Sequence, residues 1–262
     1  MSEIGNGHVR IERDGPRADV IIDRPEKRNA MNEATVADLT AAIGEVDADD
    51  DVRAATLLGE GSVFCAGFQL EMMHEKDVDD HDEFHRAFRE LLDAIDETTT
   101  PVVAGIKGAG IAGGFELTLP ADLRVLGAET KYGIIEVNLG IFPHQGSTQR
   151  LPRIVGIGKA KELVLTGDYV DPEEAAQCNL VTEVVAEDAV DDRARELADE
   201  LTEKAPLGIA NALEAFQTTF DVPLEDGLST EHRLAMQVYG TRDRKEGFEA
   251  QLERREPEFE GR

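Results

Sequence analysis

Between His8 and Asp23 apolar and polar residues alternate, as HVRIER and then ADVIID, on either side of Asp14-Gly15-Pro16. A period of two predicts half-buried strands, and the Gly-Pro turn between them predicts a hairpin. From Asn32 the period lengthens: Val36, Leu39, Ala42 and Ile43 recur at helical spacing to about Val46, with Asn32 placed to cap the first turn. An apolar run at Val52 to Leu58 then predicts a strand, followed by a turn at Gly59-Glu60-Gly61 and a polar helix from about Asp82 to Ile95. A further strand, Pro101 to Lys107, runs directly into another glycine cluster. Strand, glycine turn and helix therefore occur twice over, which predicts a mixed α/β chain with parallel strands in a simple open sheet. From about Asp188 to Arg255 the pattern is almost purely helical, broken at Ala205-Pro206, Val222-Pro223 and Gly240. No fixed-period repeat and no low-complexity linker separates the two parts.

Composition narrows the class. With 262 residues, 41% of them hydrophobic, the chain can bury a full core. The N-terminal MSEIGNGHVRIERDG lacks the apolar stretch of a signal peptide, and no run has the length of a bilayer span, so a soluble protein is expected. Cys65 and Cys178 are too few for a disulfide framework and lack metal-ligand spacing, which fits a reducing compartment and a cytoplasmic location. The 55 acidic residues against 27 basic ones give a formal net charge of -28, which disfavours nucleic acid and anionic membranes as partners. The carboxylates spread along the whole chain instead of forming an acidic tail, a pattern that suits molar intracellular salt, where the Debye length falls to about 3 Å and self-repulsion is screened.

Several clusters invite a chemical reading. Gly108-Ala109-Gly110-Ile111-Ala112-Gly113 is a literal G-x-G-x-x-G after a strand, but Pro120 ends the following helix too early for a dinucleotide-binding crossover. His81 and His85 lie four apart on one helix face; no third ligand stands at a plausible spacing and the neighbours are densely charged, so a solvated surface helix is expected and no metal. The turns at Ala66-Gly67-Phe68 and Gly113-Gly114 instead allow main-chain amides to approach one ligand atom, the construction of an oxyanion hole. Glu116 and Glu136 both stand in apolar, glycine-rich company, in GGFEL and GIIEV, where desolvation would raise a carboxyl pKa toward the range useful for proton transfer.

At these residues the chain resembles the crotonase superfamily, the enoyl-CoA hydratase/isomerase family. Asp23 to Asn32 (DRPEKRNAMN) resembles the family's loop that cradles coenzyme A, which implies substrate contacts from Lys27, Arg28 and Ala30. Phe64 to Leu70 (FCAGFQL) resembles the segment carrying the first oxyanion amide, here Phe68, with Ala66, Gln69 and Leu70 beside the substrate. Pro101 to Leu117 resembles the second such segment, which assigns the other amide to Gly113, places Gly110 at the substrate and makes Glu116 a catalytic acid or base. Ile135 to Pro143 resembles the loop carrying the second acid, Glu136, and adds Ile135 and Gly140 to the expected contacts. The segments DRKEGF and LERR near the C-terminus are like the family's terminal helix.

The resemblance implies an α/β fold, a spiral core of ββα turns over residues 1–200, followed by a helical trimerisation region over 201–262, as a homotrimer or a dimer of trimers. The spiral replaces the simple open sheet expected from periodicity. It also implies an enzyme, an enoyl-CoA hydratase, in which the Phe68 and Gly113 amides hold the thioester oxygen, Glu116 activates water and Glu136 supplies the α-proton. Coenzyme A is then part of the substrate and no separate cofactor is expected. Other readings within the family are a Δ3-Δ2 enoyl-CoA isomerase or another acyl-CoA lyase or hydrolase; a different class is a non-catalytic acyl-CoA-binding or RNA-binding relative. The chain departs from the family pattern at Gln69, where aspartate is usual, at Phe68, where alanine is common, and at Pro143-His144-Gln145-Gly146-Ser147, in place of Pro-Gly-x-Gly-Gly. His144 takes the position where similar chlorobenzoyl-CoA dehalogenases carry a nucleophilic aspartate, so an imidazole is expected to act there or to narrow the acyl pocket.

Overall fold

The computed structural model describes residues 2–262. Its strands are β1 (Ser2–Ile4), β2 (Val9–Asp14), β3 (Arg17–Ile22), β4 (Ala54–Gly59), β5 (Val102–Ile106), β6 (Ala109–Ile111), β7 (Leu123–Gly127), β8 (Lys131–Gly133), β9 (Tyr169–Val170) and β10 (Glu183–Val185). Its helices are α1 (Glu33–Asp47), α2 (Leu70–Glu75), α3 (Val78–Glu97), α4 (Gly113–Glu116), α5 (Arg150–Val155), α6 (Ile157–Thr166), α7 (Pro172–Gln177), α8 (Val190–Thr202), α9 (Pro206–Gln217), α10 (Leu224–Tyr239) and α11 (Arg242–Glu253).

The expected hairpin is present as β2 and β3, paired antiparallel from Val9 opposite Ile22 to Asp14 opposite Arg17. From β3 onward the large sheet is parallel, in the order β1-β2-β3-β4-β5-β7-β10. β3, β4 and β5 are buried at every position because both faces of a parallel sheet are covered, which explains the apolar runs of β4 and β5; β3, expected to be half-buried, buries its Arg17 and Asp19 as an ion pair. One face lies on the main core. Against the other, α8 sets Val190, Ala194 and Ala198 on Ile21, Leu58 and Val103.

The simple open sheet is corrected by a second sheet, β6-β8-β9. After β5 and again after β7 the chain turns a corner and pairs once more before a short helical turn, so the repeating unit is ββα. Isolated bridges between Met31 and Phe68 and between Cys65 and Gly110 carry the same small sheet back into the earlier turns. Gly108 makes one such corner: its φ is +65°, and any Cβ there would run into the Ser62 carbonyl oxygen. The G-x-G-x-x-G run is thus spent on the bend of a spiral.

α1 begins after Asn32, whose side chain accepts from the Thr35 N–H as expected. The polar helix is longer than its periodicity predicts. α3 starts at Val78 because Asp77 accepts from Asp79 and Asp80 N–H, and the acidic first turn complements the helix dipole. After α8, α9 packs on α10, and this C-terminal part presents large exposed apolar side chains, among them Phe216, Phe220, Leu224, Tyr239, Phe248 and Leu252. No helix among the described residues is long and apolar enough to cross a membrane.

Candidate active site

A cavity of about 420 Å³ opens where three chain corners meet: the loop after β3, the turn from Ala66 into α2, and the Ile111 to Glu116 turn into α4. The first corner is fixed from below. Asn29 is fully buried, accepts from Arg24 N–H at 2.9 Å, and donates to the carbonyls of Glu60 at 2.9 Å and Val63 at 2.6 Å. This holds the Pro25–Lys27 helical turn and the left-handed Arg28 (φ 54°) at the cavity mouth. Lys27 and Arg28 are exposed there, line the opening and join no ion pair among the described residues, so both charges are available to a ligand. Ala30 completes that side.

The next two corners lie against each other. Met31 N–H donates to the Gly67 carbonyl at 2.8 Å and Gln69 N–H to the Met31 carbonyl at 2.9 Å, so the intervening Phe68 N–H is turned away from its strand and donates to no described residue. Gly67 allows this with a φ of +92°; a Cβ on it would stand 2.8 Å from the Ile111 carbonyl oxygen. On the facing turn Ala112 adopts φ 54° and ψ -122°, an uncommon conformation for a residue with a Cβ, and the chain swings from β6 into α4. Gly113 becomes the first residue of that helix, and its N–H is one of the orphan donors of a helix start, with no side-chain cap. Its Cα lies against the Phe68 ring: a Cβ would be 2.6 Å from Cζ. That ring is clamped edge-on by Phe84 and Phe88, each at 4.9 Å between centroids.

Both glutamates face this cavity. Glu116, in α4 and only 2% exposed, has Oε1 held by Gln145 N–H at 2.8 Å and by Ser147 Oγ–H at 2.9 Å. Burial pushes its pKa up to about 7, against the pull of those donors. Glu136 is 7% exposed, and its Oε2 is buried with no hydrogen-bond partner. Its pKa is also raised to about 7, by burial first and then by the negative charge of Glu116. Two carboxyls that repel in one desolvated space give up their protons in separate steps, so near neutrality the pair can hold one proton between them. A site with one acid and one base facing the same cavity can add and remove a proton at neighbouring atoms of a bound molecule.

Of the residues singled out in the sequence, Ala66, Gln69, Leu70, Ile135 and His144 also line the cavity. Gly110 does not: a Cβ there would meet Ile106 at 2.9 Å and the Tyr132 ring at 3.1 Å, so its surface faces the core. Gly140 does not either; with φ 79° it ends the Glu136–Leu139 helical turn, and its role is to release the backbone. Other lining residues were not singled out individually: Met73 lies outside every segment quoted from the sequence, and Ala112, Leu139 and Ile141 lie within quoted segments without a role, as do the two that hold Glu116, Gln145 and Ser147.

The histidines require a correction. His85 does not lie on a solvated face: it is 8% exposed and forms part of the cavity wall. Its ring stacks at 4.1 Å on both His81 and His144, so the third imidazole absent from the local spacing arrives from a loop far along the chain. Burial, with the like-charged neighbours second, lowers the His85 pKa to about 3 and keeps the ring neutral.

A family model described as enoyl-CoA hydratase/isomerase matches residues 17–262. Among similar curated proteins are the (E)-benzylidenesuccinyl-CoA hydratase of Thauera aromatica, 34% identical over 97% of this chain and 99% of that one, and the short-chain-enoyl-CoA hydratase of Clostridium acetobutylicum, 31% identical over 96% and 97%. Among solved structures, an enoyl-CoA hydratase from Bacillus anthracis superposes with a TM-score of 0.94 at 29% identity, covering 97% of this chain and 100% of that one.

Proposed function

The chain belongs to the enoyl-CoA hydratase/isomerase family, and from that premise we propose that it adds water reversibly across the double bond of a 2-enoyl-CoA thioester, giving the 3-hydroxyacyl-CoA. The observation that carries this reading is the pair of buried carboxyls, Glu116 and Glu136, facing one cavity beside two unengaged backbone amides. The Phe68 and Gly113 N–H groups bind the thioester oxygen and stabilise the negative charge that develops on it. One such donor is worth about 2.7–4 kcal/mol of barrier. Glu116 takes a proton from water as its oxygen attacks the β-carbon; Glu136 delivers a proton to the α-carbon, and a proton exchange between the two acids closes the cycle. Dehydration is the same path reversed. Lys27 and Arg28 at the mouth suit the phosphates of coenzyme A, which enters as part of the substrate.

The exposed apolar side chains of α9 to α11 support a trimer, single or stacked in pairs, since a free monomer would leave them in water. The net charge of -28 supports a cytoplasm rich in salt as the working environment.

The test is loss of the enoyl-thioester absorbance of crotonyl-CoA in molar KCl, with Glu116→Ala alongside. Turnover by the wild type and not by the variant supports hydration. Tight binding of crotonyl-CoA without absorbance loss would make the protein a binding relative of the family instead, and conversion of a 3-enoyl-CoA without hydration would make it an isomerase.

A further inference from the structure

His81, His85 and His144 present ring nitrogens that all lie within 4.8 Å of one another, and we infer that they form a binding site for a divalent transition-metal ion in the cavity wall. His81 and His85 are one turn apart on α3, and His144 reaches them from the loop before α5. Around a four-coordinate zinc-like ion with bonds of about 2.0–2.1 Å, ligand nitrogens stand about 3.3 Å apart, so the three rings need to close by little more than roughly 1 Å. The two outer rings have that freedom: His144 is exposed on a loop and His81 is half-buried at the surface.

The central ring carries the second observation. His85 Nε2 is buried and has no hydrogen-bond partner, a condition costing about 1–3 kcal/mol unless a ligand meets it. The other nitrogen, Nδ1, is held by the Gln145 side-chain amide at 2.8 Å. When Nε2 coordinates, the ring proton moves to Nδ1, and the Gln145 amide turns its oxygen to that proton, giving up the bond that its N–H also donates to the His85 carbonyl at 2.9 Å, a cost that metal ligation has to exceed. His144 is already oriented in this manner, since its Nδ1–H donates to the Phe142 carbonyl at 3.1 Å and leaves Nε2 as the free lone pair. Lys76, the cation that bears on His81 and His85, is paired with Glu33 at 2.5 Å.

Three imidazole ligands select Zn(II), Co(II), Ni(II) or Cu(II) over Mg(II) and Ca(II), which prefer oxygen. Because His85 and His144 also line the cavity with Glu116 and Glu136, the remaining coordination position opens toward the same space as the carboxyl pair. The inference rests on the histidine geometry alone and is independent of whether the enzyme hydrates enoyl-CoA.

The experiment titrates the full-length protein, stripped with chelator and held in molar KCl with excess Mg(II), with Co(II), whose low-symmetry nitrogen sites absorb in the visible. Expected is one equivalent per chain producing a visible band that Zn(II) abolishes, with affinity at least tenfold weaker in His81→Ala and in His144→Ala. Both substitutions lie at the surface, and far-ultraviolet circular dichroism checks that each variant is folded. No band in the wild type, or a band equally strong in both variants, overturns the site; the latter result would place the metal elsewhere on the chain.

Discussion

The Gln145 N–H donates to Glu116 Oε1 at 2.8 Å, and this bond places the loop bearing His144 directly on the carboxyl of α4. Ser147 Oγ–H donates to the same oxygen at 2.9 Å. Both donors favour the charged carboxylate and oppose the upward push of burial, leaving a pKa of about 7.

Removing the hydroxyl with Ser147→Ala takes away one stabilising bond to the anion. The pKa of Glu116 then rises, by about one unit for a hydrogen bond to a charged group. The acidic limb of kcat/KM against pH is expected to move to higher pH by that amount. A limb that stays in place, or moves to lower pH, would show that Glu116 is not the base that the limb reports.

Glu116→Gln and Glu136→Gln keep the shape of each side chain and remove its titration. Each is expected to lower crotonyl-CoA turnover by about 10²- to 10⁴-fold, with acyl-CoA affinity changed far less. Steady-state kinetics and calorimetric titration with butyryl-CoA separate the two effects. Turnover surviving in Glu136→Gln within tenfold of the wild type would remove Glu136 from the protonation step.

The same raised pKa values fix a trend in stability. A carboxyl at about 7 in the folded protein and near 4.5 when unfolded keeps a proton in the native state that the unfolded chain releases. The unfolded chain binds fewer protons across that window, so these two groups make stability fall as pH climbs from about 4.5 to 7. Glu136→Gln should therefore unfold higher than the wild type at pH 8, by about 2–4 °C for a gain of roughly 1 kcal/mol, and lose that advantage at pH 5. Thermal scans in molar KCl at the two pH values measure it; a variant less stable at pH 8 would contradict the burial cost assigned to Glu136.

Gly113→Ala drives a methyl group into the Phe68 ring, which Phe84 and Phe88 prevent from yielding. Displacement of either amide by about 1 Å is expected to cost about 10²-fold in turnover. In Gly113→Ala/Phe68→Ala the methyl group has room, so the double variant should be more active than Gly113→Ala alone. Strict additivity of the two losses would mean that the ring and the glycine do not share the strain.

With 55 acidic residues, the folded chain is expected to gain stability continuously between low and molar KCl as self-repulsion is screened. Urea midpoints measured across that range test it, and a flat response would rule out adaptation to salt.

Much of the fold is legible in local order. The alternation around Gly15 and the capped stripe from Asn32 encode elements whose stability depends on near neighbours, and they appear as β2, β3 and α1. The glycine runs announce sharp backbone turns, but not which glycine serves a corner and which leaves an amide free; that depends on Ser62 meeting Gly108 and Phe68 meeting Gly113 across the fold. His85 was partly readable, since it falls within the stripe of Phe84, Phe88, Leu91, Leu92 and Ile95 that α3 buries, although the charges around it point to a solvated face.

By itself the sequence determined the hairpin, the parallel strands, the helical C-terminal part, the apolar setting of Glu116 and Glu136, and through family resemblance the spiral and its chemistry. Only the tertiary structure decided that Gln145 and Ser147 hold Glu116, that Gly110 and Gly140 turn away from the cavity, and that His144 joins His81 and His85. Propensity and periodicity act over a few residues, whereas a site is made by side chains that meet only after the chain has closed its loops, and no local pattern records which distant partner each will face.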